Sequence, residues 1–152
     1  MKFALPVKLT SVTALVLAGI IGCAAPSQQQ VAEKPAAAPS AAASQALNDA
    51  SAAIKQAKSL DWIWRDTEKM YKEAEEAAKA GDDAKAIKLA GEAKYQAEAA
   101  VNQYYIEQSK TMLGALQAKR NLTAAEKSKA DAAAAALSKA QGKQAYDILT
   151  KS

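Results

Sequence analysis

The chain has 152 residues, 50% of them hydrophobic and 24% charged, with a formal net charge of +4. It contains no histidine and a single cysteine, which excludes a disulfide, a haem-attachment motif, a conventional zinc site and a Ser-His-Asp triad. We therefore expect no enzyme, no cofactor and no metal site.

The first residues have the pattern of an export signal. Lys2 and Lys8 flank the start, and the apolar run over residues 9–21 has the length of a signal h-region and is short for a membrane span. The run ends in Ile20-Ile21-Gly22-Cys23, which resembles the lipobox of bacterial lipoproteins. The resemblance implies that residues 1–22 are removed and that Cys23 carries lipid. A plain cleavable signal and an uncleaved anchor helix are the other interpretations.

The residue after the cysteine indicates a location for the protein. Ala24 stands where an aspartate would resemble the inner-membrane retention signal, so we expect the periplasmic face of the outer membrane, with the inner membrane less favoured. Loss of the signal removes two lysines and lowers the formal net charge from +4 to about +2. The remaining charges alternate in sign, which argues against nucleic acid as a partner.

Residues 23–43 are predicted to be the lipidated cysteine and a disordered tether. They consist mainly of Ala, Gln and Ser, and Pro26, Pro35 and Pro39 oppose helix formation. The folded domain is predicted to span residues 44–152.

The composition of that domain predicts an all-α fold, because Ala, Lys, Glu and Gln dominate it. Small or apolar residues recur every three or four positions from Leu47 to Ala78, which indicates one long first helix, either straight or bent near residues 59–61. The core is expected to depend on a few large side chains, namely Leu60, Trp64, Tyr71, Leu89, Tyr104 and Leu116.

Three local signals divide the rest of the domain. Gly81-Asp82-Asp83 predicts a tetratricopeptide-like turn into a second helix that ends near residues 120–121 and lies antiparallel to the first. Thr123 and Glu126 form a capping box that predicts a third helix, and Gln141-Gly142 precedes a short fourth one. The predicted fold is thus a long antiparallel helical hairpin plus a shorter C-terminal hairpin.

The two predicted hairpins show a weak internal sequence match. A shift of 61 residues aligns Gly81 with Gly142 and Ile87 with Ile148. Both a duplication and a chance match in an alanine-rich chain remain open.

The segment over residues 61–69 contains both tryptophans. In a helix, Trp62 and Trp64 would be separated by about 200° around the axis, so Trp64 joins the apolar stripe and Trp62 does not. Either the C-terminal hairpin covers Trp62, or Trp62 anchors a partner protein. In the second case the contact would also include Arg65, Asp66 and Lys69.

The first long hairpin is similar to a known family. The run Trp64-Arg65-Asp66-Thr67-Glu68-Lys69, with residues 73–82 and 86–90 after it, resembles the SoxXA-binding proteins of sulfur-oxidising bacteria, and the likeness covers residues 47–108. Those exported helical proteins attach to the dihaem cytochrome SoxXA of periplasmic thiosulfate oxidation. The resemblance implies a non-catalytic accessory subunit of such a complex. The alternative is a structural envelope lipoprotein, acting as a spacer or as a self-associating helical bundle.

Overall fold

The structure, a computed structural model, describes residues 38–151. Within that range it consists of helices and connecting turns, without strands, so the predicted all-α fold is confirmed. The helices are α1 (Ala41–Ser59), α2 (Thr67–Lys79), α3 (Asp83–Gln117), α4 (Ala124–Ser138) and α5 (Gly142–Thr150). The predicted signal, the lipidation of Cys23 and the tether up to residue 37 lie outside the described residues. Helix α1 begins three residues before the predicted domain boundary.

The helix starts follow local capping chemistry. The Asp82 side chain accepts a hydrogen bond from the Lys85 amide (3.1 Å), as its position after Gly81 predicts. At α4 the predicted capping box is confirmed: the Glu126 amide donates to the Thr123 hydroxyl (3.2 Å), and the Thr123 amide donates to the Glu126 carboxylate (2.9 Å). These caps satisfy amides that a helix start otherwise leaves without a partner.

Helices α1, α2 and α4 end with the same turn. The residue after each C-cap has a positive φ: 53° at Asp61, 76° at Gly81 and 55° at Ala140. The next amide donates to a carbonyl five residues back, from Trp62 to Ala57 in the first case, and from Asp82 and Gln141 in the other two. This is the Schellman motif, which satisfies the last carbonyls of a helix and reverses the chain.

The prediction of one long first helix is wrong, because the turn at Asp61 ends α1 and residues 60–66 separate it from α2. The apolar stripe stays in phase across this break, so periodicity alone does not reveal it. The aromatic and β-branched residues Trp62, Ile63 and Trp64 are mediocre helix formers and favour the interruption.

Packing contacts define the direction of each helix. Ala43 of α1 lies in one cluster with Ala86 of α3, whereas Ala57 clusters with Ala93 and Ala97, so α1 runs parallel to α3. Helix α2 runs antiparallel to both, because its Ala77 and Ala78 belong to the first of these clusters. The predicted antiparallel hairpin is therefore formed by α2 and α3, with α1 alongside.

The C-terminal half repeats this arrangement on the same central helix. Helices α4 and α5 pack against each other and against the second half of α3, where Leu113, Ala130 and Ala133 form a buried cluster. No backbone contact joins α1 or α2 to α4 or α5 within residues 38–151. We call α1, α2 and the first half of α3 the N-terminal module, and the remaining helical part the C-terminal module.

The two modules do not align as the shift of 61 residues suggested. Gly81 ends α2, whereas Gly142 is the first residue of α5, and Ala140 takes the position equivalent to Gly81. The match of the two glycines therefore does not reflect equivalent turns.

Alanine fills the core of both modules. All buried hydrophobic side chains except Ile54, Val101 and Leu113 are alanines among the described residues. Among the large residues expected in the core, the prediction for Trp64 is wrong, because Trp64 lies in the loop between α1 and α2 and is 44% exposed. The other five are partly buried at the edges of the alanine interfaces.

Candidate functional site

The loop over residues 60–66 presents both tryptophans at the surface. Asp61 turns the chain out of α1, and the Thr67 amide closes the loop by donating to the Trp64 carbonyl (3.2 Å). The side chain of Thr67 is fully buried and donates to Gln96 of α3 (3.0 Å). This bond fixes the start of α2, and with it the end of the loop, against α3.

Trp62 packs on one side and is open on the other. Its ring meets Tyr104 of α3 edge-on, with 5.8 Å between the centroids, and 38% of the residue remains exposed. The Tyr104 ring also packs against Tyr105, with 5.3 Å between the centroids, and Tyr105 packs against Tyr146 of α5, with 5.1 Å between the centroids, so the rings form a row. The row links Trp62 to the C-terminal module through α3, and it leaves the tryptophan partly available for contact.

The charged residues predicted beside Trp62 are all exposed. Arg65 and Asp66 lie in the loop, and Lys69 in the first turn of α2, where its ammonium is 4.0 Å from the Glu73 carboxylate. The adjoining Lys58 and Glu68 form an ion pair that connects α1 to α2. Trp62, Arg65, Asp66 and Lys69 thus belong to one continuous segment, which we call the loop patch.

A second surface was missed by the sequence analysis. An apolar groove of about 560 Å³ lies beside α3, and Trp64, Met70 and Gly91 are among the residues that line it. Ile87 (39% exposed) and Tyr95 (71% exposed) also line it. Lys88, Glu92 and Gln96 complete the lining. We call this surface the α3 groove.

Two signals could have indicated the α3 groove. Tyr95 falls outside the apolar stripe of α3, and Gly91 interrupts an otherwise strong helix-forming run. Ile87 gave no such signal, because its spacing fits the apolar stripe of α3 although its side chain faces outward.

The described part of the chain shows little that would support acid–base or metal chemistry. It contains no cluster of three or more potential metal ligands. Burial raises the pKa of Tyr71, which lines a cleft of about 290 Å³ between α1 and α2. On α5, a hydrogen bond from the Lys143 ammonium lowers the pKa of the partly exposed Asp147 carboxyl.

No protein-family model, curated protein or solved structure matches the chain. Within residues 38–151, no helix combines the length and the apolar character needed to cross a bilayer.

Proposed function

We propose that this chain is a non-catalytic lipoprotein, attached to the periplasmic face of the outer membrane through lipid on Cys23, that binds a partner protein through the loop patch. The observation that carries the proposal is the break between α1 and α2, which places Trp62 and Trp64 at the surface at 38% and 44% exposure. In a core made mostly of alanine, large apolar side chains would contribute most to stability if they were buried. Their exposure supports a binding role.

The composition of the loop patch suits a protein contact. Tryptophan and arginine are the residues most enriched among those that dominate binding energy, and Trp62 and Arg65 are three positions apart. Trp62 is held from behind by Tyr104, so little side-chain freedom would be lost on binding. Asp66 and Lys69 add charges of both signs at the rim.

The partner we propose is a SoxXA-type dihaem cytochrome, on the basis of the resemblance over residues 47–108. That resemblance includes the run Trp64 to Lys69, which overlaps the loop patch. The chain would then be an accessory subunit that holds the cytochrome near the membrane.

The proposal is tested by binding of a purified SoxXA-type cytochrome to the immobilised full chain in detergent. We expect Trp62→Ala to weaken binding at least 10-fold and Arg65→Ala about 5-fold, as for central contact residues. Arg120→Ala is the matched control, because Arg120 is the chain's other arginine and is exposed between α3 and α4. Circular dichroism verifies that each variant is folded.

The possible results separate the parts of the proposal. If the wild-type chain fails to bind the cytochrome, the named partner is wrong. If binding is unaffected by Trp62→Ala and Arg65→Ala, the loop patch is not the contact. Mass spectrometry of the processed protein tests the anchor, since an N-terminus other than acylated Cys23 would contradict it.

The structural alternative keeps one supporting observation. Helix α3 has 35 residues, which corresponds to about 50 Å, and it joins both modules. A protein that served purely as a spacer would bind no cytochrome and would be insensitive to substitution of Trp62.

A further inference from the structure

No contact within a single copy of the chain requires a glycine at position 91. It lies well inside α3, where glycine is less favourable than any residue except proline. A Cβ atom at this position would meet nothing within 4 Å, so the packing of the chain itself does not require glycine. Gly114 is equally open but lies in the last turn of α3. The missing side chain at Gly91 would therefore matter mainly to a molecule that approaches α3 from outside.

The residues beside Gly91 form a seam with reciprocal charges. Lys85, Lys88, Glu92 and Tyr95 follow one another at spacings of three, four and three, which places them on one strip of α3. All four are exposed, and neither Lys88 nor Glu92 has an ion-pair partner within 4.0 Å among the described residues. The strip therefore offers two unpaired charges of opposite sign, one helical turn apart.

We propose that the α3 groove binds a second copy of this chain, with the two α3 helices antiparallel about a two-fold axis near residue 90. This pairing places Lys88 of each copy opposite Glu92 of the other. It also brings Lys85 of each copy to the exposed ring of Tyr95 of the other, in reach of a cation–π contact. Gly91 lies next to the axis and lets the two backbones approach closely.

Charge complementarity selects a second copy as the occupant. A two-fold axis converts one Lys–Glu pair on a helix into two intermolecular pairs, whereas an anionic lipid surface would leave Glu92 without an opposite charge. Of the loop, Trp64 alone lines the groove, so the dimer goes beyond the proposed function and leaves Trp62 and Arg65 for the cytochrome. If the chain is lipid-anchored, as proposed above, confinement to one membrane face favours the association.

Charge exchange tests the dimer on the full chain in density-matched detergent by sedimentation velocity. We expect a wild-type dimer, and at least 10-fold weaker association for Lys88→Glu and for Glu92→Lys, because each places like charges opposite one another. The double variant should associate like wild type, and an equimolar mixture of the two single variants should form a heterodimer. Lys127→Glu, at an exposed position of α4, is the control and should leave the dimer unchanged.

Gly91→Leu provides a second, uncharged test. Its side chain enters open space in one copy but blocks the approach of the other, so we expect a folded monomer by circular dichroism and sedimentation. A monomeric wild-type chain, or a double variant that fails to regain association, would overturn the dimer. Cytochrome binding measured on Lys88→Glu separates the two proposals, because it should persist when the dimer is lost.

Discussion

The two modules share a helix, a topology and an alanine-rich core, and they differ in the polar contacts that fix their outer helices. In the N-terminal module, α1, α2 and α3 meet through alanine-rich clusters whose largest buried member is Ile54, and a side-chain bond from Thr67 to Gln96 joins α2 to α3. In the C-terminal module a polar clamp holds the start of α5: the Gly142 amide donates to the Asn102 side chain (3.0 Å), which itself donates to the Ala140 carbonyl (3.0 Å). The buried Ser109 hydroxyl donates to the Tyr105 carbonyl of its own helix (2.7 Å) and lies 3.3 Å from the Gly142 carbonyl.

The two modules also differ in the apolar side chains that they expose. The clamp holds α5 at a defined height on α3, and Tyr146 closes against Tyr105. In the N-terminal module the loop between α1 and α2 is longer than the turn between α4 and α5, and Trp62, Trp64 and Tyr95 are exposed. The apolar surface available for binding is therefore concentrated in the N-terminal module.

Gly142→Ala should have the largest effect and should be confined to one module. A Cβ atom would come within 2.5 Å of the Asn102 carbonyl oxygen and 2.7 Å of the Ile106 amide nitrogen, both backbone atoms, so α5 must move away. We expect a loss of about 2 to 3 kcal/mol in urea unfolding. Gly114→Ala, where nothing lies within 4 Å, is the control.

Hydrogen exchange of Gly142→Ala shows how independent the modules are. We expect faster exchange in α4 and α5 and unchanged protection in α1 and α2, since no backbone contact joins those pairs. Equal loss of protection throughout the chain would show that the modules unfold as one unit.

The second prediction compares a buried residue with an exposed one in the N-terminal module. Ile54→Ala removes a side chain that is 7% exposed and should cost about 2 kcal/mol. Trp64→Ala, which the sequence alone would rank higher, should cost about 1 kcal/mol, because Trp64 is 44% exposed. Thermal unfolding followed by circular dichroism orders the two, and the reverse order would contradict this description of the core.

The third prediction exchanges the turn residues of the two modules. Gly81 and Ala140 both have positive φ, at 76° and 55°, which glycine adopts without strain and alanine does not. Gly81→Ala should destabilise the protein by about 1 kcal/mol, and Ala140→Gly should stabilise it by a similar amount. Chemical unfolding of both variants checks the opposite signs, and the same sign in both would refute the equivalence of the turns.

The smallest expected effect is a pH dependence at the start of α4. A hydrogen bond from Lys119, followed by those from Thr123, lowers the pKa of Glu126 from 4.5 to about 2. A folded-state pKa below the unfolded one means that this carboxylate stabilises the fold above about pH 4.5 and that the contribution disappears as the pH falls towards 2.

Unfolding measured between pH 5 and about 2 should show this loss in the wild-type chain and less of it in Glu126→Gln, which keeps the capping geometry without the charge. Asp147 titrates in both proteins and cancels in the difference. Identical pH profiles would show that Glu126 contributes nothing to the acid sensitivity.

The sequence by itself determined what local chemistry controls. The helical composition, the turn at Gly81 with its cap at Asp82, and the Thr123–Glu126 capping box act over a few residues and could be predicted. The exposure of Arg65, Asp66 and Lys69 could also be predicted, because charged side chains lose solvation when buried.

Only the tertiary structure decided where α1 ends and which large side chains face outward. Asp61 and Ala140 both have positive φ, which alanine in particular disfavours, so the complete break after Ser59 and the exact end of α4 could not be predicted, although Gln141-Gly142 indicated the start of α5. Periodicity reports which residues share a face, and it cannot report whether a neighbouring helix covers that face. Trp64, Ile87 and Gly142 have the roles they have because of contacts, or their absence, between residues distant along the chain.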